Sequence, residues 1–208
     1  MKILLSPSKE MDRTNLILRV NDVNIDCFYD KLNMLKCELS DFETINKLSK
    51  KAILLYSGLA FRQFTNKESS FYQNVIILSS LYGYSYGNDY ISCYILDYTT
   101  SLGRIYKKDI YDEINHRLKT EDIVYNLASD EYAKGIKHDN LVNFKFLVLK
   151  NGVYKSISAT SKKMRGKMVE FIRLNNSFDF ENFNDDGFKY CYEKSKANNI
   201  VYKKSSKD

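Results

Sequence analysis

The sequence is poor in the residues that build loop-rich, repetitive or membrane-spanning proteins. Its 208 residues include one proline and eight glycines, and no internal period is visible, which argues against a loop-rich or repeat architecture. The apolar run near the amino terminus, Ile3–Leu5, is too short for a signal peptide. No later run approaches the length of a transmembrane helix. We therefore expect a cytoplasmic protein with no membrane partner.

Cysteine and histidine are equally scarce. The cysteines include no CxxC pair and the histidines stand alone: Cys27, Cys37, Cys93, Cys191, His116 and His138. None of these residues has the spacing of metal ligands. We expect no metal and no cofactor, and we interpret the cysteines as reduced, buried thiols.

Apolar residues make up 44% of the chain, which is enough for a substantial core, and we expect residues 1–208 to form a single compact domain. The net charge of +6 is unevenly distributed. From Lys145 to Asp208 there are 14 Lys and Arg against 7 Asp and Glu, whereas the preceding residues hold 18 against 19. The last third therefore carries the excess positive charge, which favours nucleic acid or another polyanion as partner.

Short apolar runs alternate with helical patterns along the chain, which predicts an α/β fold with a mixed sheet. The predicted strands are Lys2–Leu5, Asn74–Leu81 and Ile123–Leu127, and Tyr90–Tyr98 is expected to be a strand or extended chain. Asp26–Leu48 is predicted to form one or two helices with Ser40 as the cap between them, and further helices are predicted at Lys107–Leu118 and from Asp130, capped by Ser129. Ala52–Tyr56 fits either a strand or a helix end. The segments Asn143–Lys150 and Val153–Ser158 flank Asn151-Gly152, which predicts a hairpin with a type I′ turn.

The most informative stretch is TSKKMRGKMVEFIRL, residues 160–174. Its apolar residues recur at the spacing of one buried helical stripe: Met164, Met168, Phe171 and Ile172. Thr160 or Ser161 is expected to cap the first turn. The basic residues that fall off the stripe are Lys162, Lys163, Lys167 and Arg173, with Arg165 at its border. A fixed basic helix of this kind indicates an anionic partner, foremost phosphate.

Four polar clusters follow or end apolar runs, where α/β proteins place their sites. They are Ser6-Pro7-Ser8-Lys9, Leu81-Tyr82-Gly83, NLASDEY at 126–132 and KKMRG at 162–166. Each alone fits a turn, a strand end or a helix cap. Longer blocks contain these clusters: LLSPSKEMD, IILSSLYGYSYGNDYISCYILDY, NLASDEY and SKKMRGKM, followed by GFKYCYEKSKANNIVYKK. In this order and almost end to end, they resemble the YaaA family of peroxide-stress proteins.

The resemblance implies a single domain with an unusual α/β fold and a positively charged cleft. It also implies DNA binding, protection from hydrogen peroxide and lower free intracellular iron. The cleft residues retained in this chain are Ser6, Lys9, Tyr82, Asp89, Asn126, Ser129, Glu131, Lys155, Lys162, Lys163 and Arg165.

The chain departs from the family pattern at several places. It is shorter than the usual member between Asp12 and Ala52. Tyr86 and Ile95 stand where the family has arginine, Leu59 stands where it has aspartate, and Asp97 stands where it has glutamate. Since two cleft arginines are absent, we expect phosphate contacts to be weaker here than in the usual member.

Two classes of function are open. In the first, the chain is a DNA-binding protein of the peroxide-stress response. Basic residues off the apolar stripe would contact the phosphates of double-stranded or branched DNA without reading the bases, with Lys9 and Lys155 reaching in from neighbouring loops. The motif SKKMRG favours Lys162, Lys163 and Arg165 for these contacts, whereas Lys167 and Arg173 are expected to face solvent.

In the second class, the chain is an enzyme that acts on a small phosphorylated, nucleotide or nucleobase-like substrate in the same cleft. A buried Glu131 beside Lys162 would suit proton transfer. A groove as wide as a duplex favours the first class, and an enclosed pocket favours the second. Direct iron chelation is not supported, because the histidines, cysteines and carboxylates do not have the spacing of metal ligands.

Overall fold

The computed structural model describes residues 1–18, 48–175 and 179–205. The strands in these residues are β1 (Lys2–Leu5), β2 (Ile17–Leu18), β3 (Leu48–Lys51), β4 (Val75–Ser79), β5 (Gly83–Tyr86), β6 (Tyr90–Ile91), β7 (Val124–Leu127), β8 (Leu141–Lys150), β9 (Val153–Lys155), β10 (Lys189–Tyr190) and β11 (Asn199–Lys204). The α-helices are α1 (Ala52–Leu55), α2 (Ser101–Arg104), α3 (Lys107–Leu118), α4 (Asp130–Ala133) and α5 (Ser158–Asn175). Three 3₁₀ turns span Phe61–Gln63, Ser70–Asn74 and Phe180–Asn182.

Within the described residues, eight strands form one mixed sheet in the order β10-β11-β8-β7-β1-β4-β5, with β9 paired to β8. The five central strands β11, β8, β7, β1 and β4 run parallel, whereas β5, β9 and β10 are antiparallel. Strands β2, β3 and β6 form a separate antiparallel sheet. The predicted α/β class with a mixed sheet is therefore confirmed.

The order of the parallel strands places a reversal in the middle of the sheet. The next parallel strand after β1 along the chain is β4, which lies on one side of β1. The parallel strand after β4 is β7, which lies on the other side of β1. The direction in which the chain crosses the sheet thus changes between β1 and β7. In open α/β sheets, ligands bind outside the carboxyl ends of the strands at such a switch point.

The central strands carry the core. Strand β4 is buried along its whole length, and so is β7, as expected for parallel strands covered on both faces. Among the largest fully buried side chains are Tyr56, Tyr72 and Tyr202. Tyr56 donates to or accepts from Tyr94 at 2.7 Å, and Tyr94 does the same with Ser79 at 2.7 Å. Tyr72 donates to Glu170 at 3.2 Å and Tyr202 donates to the Phe180 carbonyl at 2.8 Å, so each of these buried hydroxyls has a partner.

Several predicted elements are confirmed. Strand β1 and helix α3 have the predicted bounds. The hairpin of β8 and β9 turns at Asn151 and Gly152, whose φ angles are 53° and 75°. Two positive φ angles are what a type I′ turn requires. Cys93 and Cys191 are buried free thiols, as predicted.

Two segments had been left open between alternatives. Ala52–Tyr56 contains a short helix, α1, and Tyr90–Tyr98 is a strand only at Tyr90–Ile91 and then continues without regular structure. One prediction needs correction. The cap predicted at Thr160 or Ser161 is wrong because α5 already begins at Ser158. The Ser161 hydroxyl instead lies 2.9 Å from the Ser156 hydroxyl, inside the fold.

Some sequence predictions lie outside the described residues: the helices of Asp26–Leu48, the cap Ser40, and Cys27 and Cys37. Leu48, the last residue of that predicted region, is described and begins β3. None of the helices in the described ranges combines the length and the apolar character needed to cross a bilayer.

Helix α5 is anchored by the predicted apolar stripe and by the close approach of one glycine. Met164, Met168 and Ile172 are buried, and Phe171 packs against the core from a partly exposed position. A Cβ on Gly166 would lie 2.7 Å from both the Cα and the carbonyl carbon of Ala60, and closer still to the carbonyl oxygen. The glycine thus lets α5 pack directly on the backbone before the Phe61–Gln63 turn.

A buried ion pair fixes the far end of α5. Arg173 Nε and Nη2 donate to the two carboxylate oxygens of Glu170 at 2.9 and 2.6 Å, and Tyr72 donates to the same carboxylate at 3.2 Å. The backbone N–H of Thr65 also donates to Glu170 at 3.2 Å. Burial alone would raise the pKa of Glu170, but these hydrogen bonds outweigh it and lower the pKa to about 2.

Candidate functional site

Two serines meet at the carboxyl ends of the strands that flank the reversal. Ser6 follows β1 and Ser129 follows β7, and the register of these neighbouring strands brings the two residues together. The Ser129 N–H donates to Ser6 Oγ at 2.8 Å, and the two hydroxyl oxygens lie 3.0 Å apart. Ser129 occupies the residue before α4, as predicted, but its side chain forms no cap hydrogen bond. Its hydroxyl pairs with Ser6 instead.

These serines line a pocket of about 530 Å³, which we call the switch-point pocket. Four stretches and two side chains form its wall: residues 5–10 from the end of β1, residues 58–61 at the start of the first 3₁₀ turn, residues 94–97, 99 and 100, residues 127, 129, 131 and 132 from the end of β7, and two basic side chains of α5. Its volume falls in the range of roughly 300–1,000 Å³ typical of small-molecule sites. The switch point therefore carries a cavity of the size of a nucleotide.

One wall holds an ion pair between Lys9 and Asp97. The Asp97 side chain is buried, with 8% exposed, while that of Lys9 is 76% exposed. Thr99 N–H donates to the same carboxylate at 2.8 Å. The hydrogen bond from Lys9, followed by those from Thr99, lowers the pKa of Asp97 to about 2, and the same contact with Asp97 raises the pKa of Lys9. Lys9 is therefore a charged partner of Asp97 and is unsuited to act as a base.

The opposite wall carries Lys162 and Arg165 of α5. Arg165 Nε is buried and has no hydrogen-bond partner within the described residues. Burial lowers the pKa of Arg165 and the nearby Asp130 carboxylate opposes this shift, yet a guanidinium remains charged at neutral pH. A buried cationic donor without a partner is costly, so its presence at the wall of a cavity indicates a place for an anion.

The charges that line the pocket are balanced. Three basic side chains, Lys9, Lys162 and Arg165, face three acidic ones, Glu10, Asp97 and Glu131. Asp97 is paired with Lys9, and Glu10 is paired with Arg62. The surplus of positive charge implied for the cleft is therefore not shown by this lining, and the positively charged cleft stays a prediction.

The structure brings together six of the eleven predicted cleft residues: Ser6, Lys9, Ser129, Glu131, Lys162 and Arg165. The other five do not line the pocket: Tyr82, Asp89, Asn126, Lys155 and Lys163.

Three of these five have structural partners around the strand ends. Asn126 lies on β7, where its amide donates to Asn143 Oδ1 at 2.8 Å and its Oδ1 accepts from Ala128 N–H at 3.0 Å. The hydroxyl of buried Tyr82 accepts from Ser92 N–H at 3.1 Å. Asp89 accepts from the N–H of Tyr86 at 2.7 Å, and burial raises its pKa. None of the three lines the pocket, and the turn at Asp89 lies beside the start of β4, away from the carboxyl ends of the parallel strands.

The remaining basic residues are either exposed or paired with acidic side chains, and they do not line the pocket. Lys155 is exposed on β9, and Lys163 forms an ion pair with Asp186 at 2.9 Å. Lys167 pairs with Asp185, and Arg173 belongs to the buried Glu170 network, although the sequence had suggested solvent-facing roles for both. On α5, Lys162 and Arg165 are thus the basic residues that face the pocket.

Three of the four positions at which the family's polar residues are replaced also line the pocket: Leu59, Ile95 and Asp97. Leu59 and Ile95 contribute apolar side chains, and Ile95 is 72% exposed. Tyr86 lies away from the pocket on β5, with the ammonium of Lys2 5.1 Å from its ring centre. Asp97 and Tyr94 line the pocket but were not among the cleft residues predicted from the sequence. The signal that could have identified them is the block YILDY, which contains both residues.

The comparisons with known proteins agree with these motifs. The family described as peroxide stress protein YaaA matches residues 30–194. The chain belongs to the YaaA family of peroxide stress proteins. It is similar to the UPF0246 protein FN1762 of Fusobacterium nucleatum, with 31% identity covering 97% of this chain and 98% of that protein. It is also 30% identical to the UPF0246 protein CD630_18230 of Clostridioides difficile, covering 97% and 98%, and 30% identical to the UPF0246 protein MYPE6270 of Malacoplasma penetrans, covering 99% and 100%.

Membership of the YaaA family supports a role in peroxide stress. The similarity to the Malacoplasma penetrans protein covers 99% of this chain and therefore includes every block of the pocket, from LLSPSKEMD to SKKMRGKM. Within the described residues of this YaaA-family protein, no three His, Cys, Asp or Glu side chains cluster in a way that could hold a metal ion.

Proposed function

We propose that this YaaA-family protein binds a phosphorylated small molecule of about nucleotide size in the switch-point pocket as part of the peroxide-stress response. The observation that carries the proposal is Arg165, whose buried Nε has no partner within the described residues. Lys162 adds a second cation at the same wall, and a phosphate group accepts hydrogen bonds from both kinds of donor. The position at the switch point supports a ligand site independently of charge.

The volume of the pocket also favours a ligand of a particular size. A cavity of about 530 Å³ with acidic side chains in its lining accommodates one phosphorylated molecule. A duplex requires a long surface of basic residues that follows its phosphates. The geometry of the pocket therefore favours a small ligand over a duplex at this place, whether that ligand is only bound or is also converted.

Isothermal titration calorimetry with inorganic phosphate, pyrophosphate and AMP tests this proposal. We expect at least one of these probes to bind, and Arg165→Gln to weaken its binding by about 10–100-fold, the equivalent of one charge-assisted contact. Lys162→Gln should also weaken binding, whereas Lys155→Gln, the same charge change outside the pocket, should leave it unchanged. Thermal unfolding confirms that each variant folds. The proposal fails if none of the probes binds, or if Lys162→Gln and Lys155→Gln have equal effects.

We propose DNA binding as a second function, carried by a different surface. Exposed lysines of the last third form no ion pair within the described residues: Lys145, Lys150, Lys155, Lys194 and Lys196. Lys145 lies on β8, and Lys150 and Lys155 lie on its hairpin with β9. Such free cations suit sequence-tolerant contacts with the phosphates of double-stranded or branched DNA.

Gel mobility shift with duplex and branched DNA over a salt series tests the second proposal. Changing Lys150, Lys155, Lys194 and Lys196 together to glutamine should lower the slope of log K against log salt by about 3.6, or 0.9 for each lost phosphate contact. The matched control changes four exposed lysines elsewhere to glutamine: Lys108, Lys119, Lys134 and Lys137. Binding that is insensitive to salt, or equally weakened by both sets, rules out this surface.

The family resemblance also implies that the protein lowers free intracellular iron, and we propose this effect here. Cells lacking the protein should then contain more free iron after peroxide treatment than cells that have it.

A further inference from the structure

Most polar groups of the switch-point pocket are already satisfied by the protein. Asp97 accepts from Lys9 and from Thr99, and Glu10 accepts from Arg62. Thr100 Oγ1 donates to the Asp97 carbonyl at 3.0 Å. A ligand gains little from groups whose hydrogen bonds are complete, so its chemistry has to be inferred from the groups that are left.

The serine pair leaves one proton for a ligand. Ser6 Oγ accepts from the Ser129 N–H, and the two hydroxyl oxygens share one further hydrogen bond. If Ser129 donates that bond, the Ser6 proton is unused; if Ser6 donates it, the Ser129 proton is unused. In either arrangement, the pair offers a single hydroxyl donor at the carboxyl ends of β1 and β7.

Three charged side chains of the lining form no hydrogen bond or ion pair in the described part of the chain: Lys162, Arg165 and Glu131. Glu131 uses its backbone carbonyl, which accepts from Lys107 Nζ at 3.3 Å, whereas its carboxylate forms no hydrogen bond or ion pair there. Glu131 is exposed rather than buried as expected from the sequence, and it lines the pocket near Lys9, whose pKa its charge helps to raise. The pocket therefore offers three donors and one strong acceptor.

We infer that the ligand is a phosphate ester that also carries free hydroxyl groups, with the phosphate at Arg165 and Lys162 and the hydroxyls donating to Glu131. This inference rests on the proposed binding of a phosphorylated small molecule and names its class. A ligand with phosphate groups alone would place negative charge against Glu131 and leave that carboxylate unsatisfied. A carboxylate that accepts from ribose hydroxyls is an established way of recognising nucleotides beside a switch point.

Apolar side chains of the pocket fit the remainder of such a ligand. Leu59, Ile95 and Leu96 contribute apolar surface, and Tyr94 and Tyr132 contribute aromatic rings. These groups can cover a sugar ring or a base without adding hydrogen bonds. The ligand class thus includes sugar phosphates and nucleoside monophosphates.

Paired probes that differ only in hydroxyl groups test this inference by calorimetry: AMP against 2′,3′-dideoxy-AMP, and ribose 5-phosphate against 2-deoxyribose 5-phosphate. With the wild-type protein, we expect the hydroxylated member of a pair to bind about 10–100-fold more tightly. Glu131→Gln should reduce this ratio to about threefold or less, because the neutral amide accepts more weakly. Asp112→Asn, the same loss of charge at an exposed position of α3 outside the pocket, should keep the ratio.

The possible outcomes distinguish the hydroxyl contact from the proposed phosphate binding on which it depends. If both members of each pair bind equally and Arg165→Gln still weakens them, the hydroxyl contact is refuted while phosphate binding stands. If the ratio persists in Glu131→Gln, the assignment to Glu131 is refuted. If none of these phosphates binds the wild-type protein, both the inference and the proposed small-molecule function fail.

Discussion

Replacing Gly166 with alanine separates two opposite effects on stability. Alanine is intrinsically favoured over glycine inside a helix by about 1 kcal/mol, so local propensity predicts that Gly166→Ala stabilises α5. Packing predicts the reverse, because a Cβ there would lie 2.7 Å from two backbone atoms of Ala60. Backbone atoms cannot turn away as the end of a side chain can. The helix or the segment of Ala60 would have to move.

The size of the effect follows from these two terms. Overpacking by one carbon costs about 1–3 kcal/mol in protein cores, and the contact with backbone places Gly166 at the upper end. After the propensity gain of about 1 kcal/mol, we expect a net loss of about 2 kcal/mol. For a chain of this length, that loss corresponds to a Tm lower by about 4–8 °C. Because Ala60 and Arg165 both line the pocket, phosphate binding should weaken as well.

Urea and thermal unfolding of the wild type and Gly166→Ala measure this prediction. Ala159→Gly, the reverse exchange at an exposed position of the same helix, serves as the control for propensity alone, and we expect it to lower stability by up to about 1 kcal/mol. If Gly166→Ala is as stable as the wild type or more stable, then α5 does not pack on the backbone at Ala60, and the reasoning is refuted.

Three further predictions concern the buried polar groups. Glu170→Gln should destabilise the fold by about 3 kcal/mol in urea unfolding, because it leaves Arg173 without its buried partner. The pKa values of Glu170 and Asp97 are both lowered to about 2, so the stability that they provide is present above their ordinary values near 4 and is lost as the pH falls towards 2; urea unfolding between pH 6 and pH 2 should show this loss, and a flat profile would contradict it. Tyr94→Phe should cost about 1–3 kcal/mol in thermal unfolding, since it removes the partner of the buried Tyr56 hydroxyl; an unchanged Tm would contradict it.

Local chemistry explains the parts of the fold that the sequence predicted well. The helix at Lys107–Leu118 was recognisable because its apolar residues Ile110, Ile114 and Leu118 recur at helical spacing, and all three are buried. The hairpin was recognisable because Asn151-Gly152 accepts the positive φ angles of its turn. Both signals lie within a few residues of the structure that they specify.

The parts that could not be predicted depend on contacts between distant residues. Nothing in Ser129 itself shows that its hydroxyl pairs with Ser6 rather than capping α4, since the choice depends on the adjacency of β1 and β7. Lys163 and Arg165 look alike in the sequence, yet Lys163 is paired with Asp186 and Arg165 is turned into the pocket. The family resemblance named both residues, and only the fold distinguishes them.

A crystal structure of the protein with AMP tests the central claim most directly, because it shows which groups hold the phosphate. We predict a phosphate oxygen about 3 Å from Arg165 Nε, with Lys162 on the same group and the ribose hydroxyls towards Glu131. A saturated crystal in which Arg165 Nε remains without a partner, with the nucleotide held by the exposed lysines of the last third, would contradict the account.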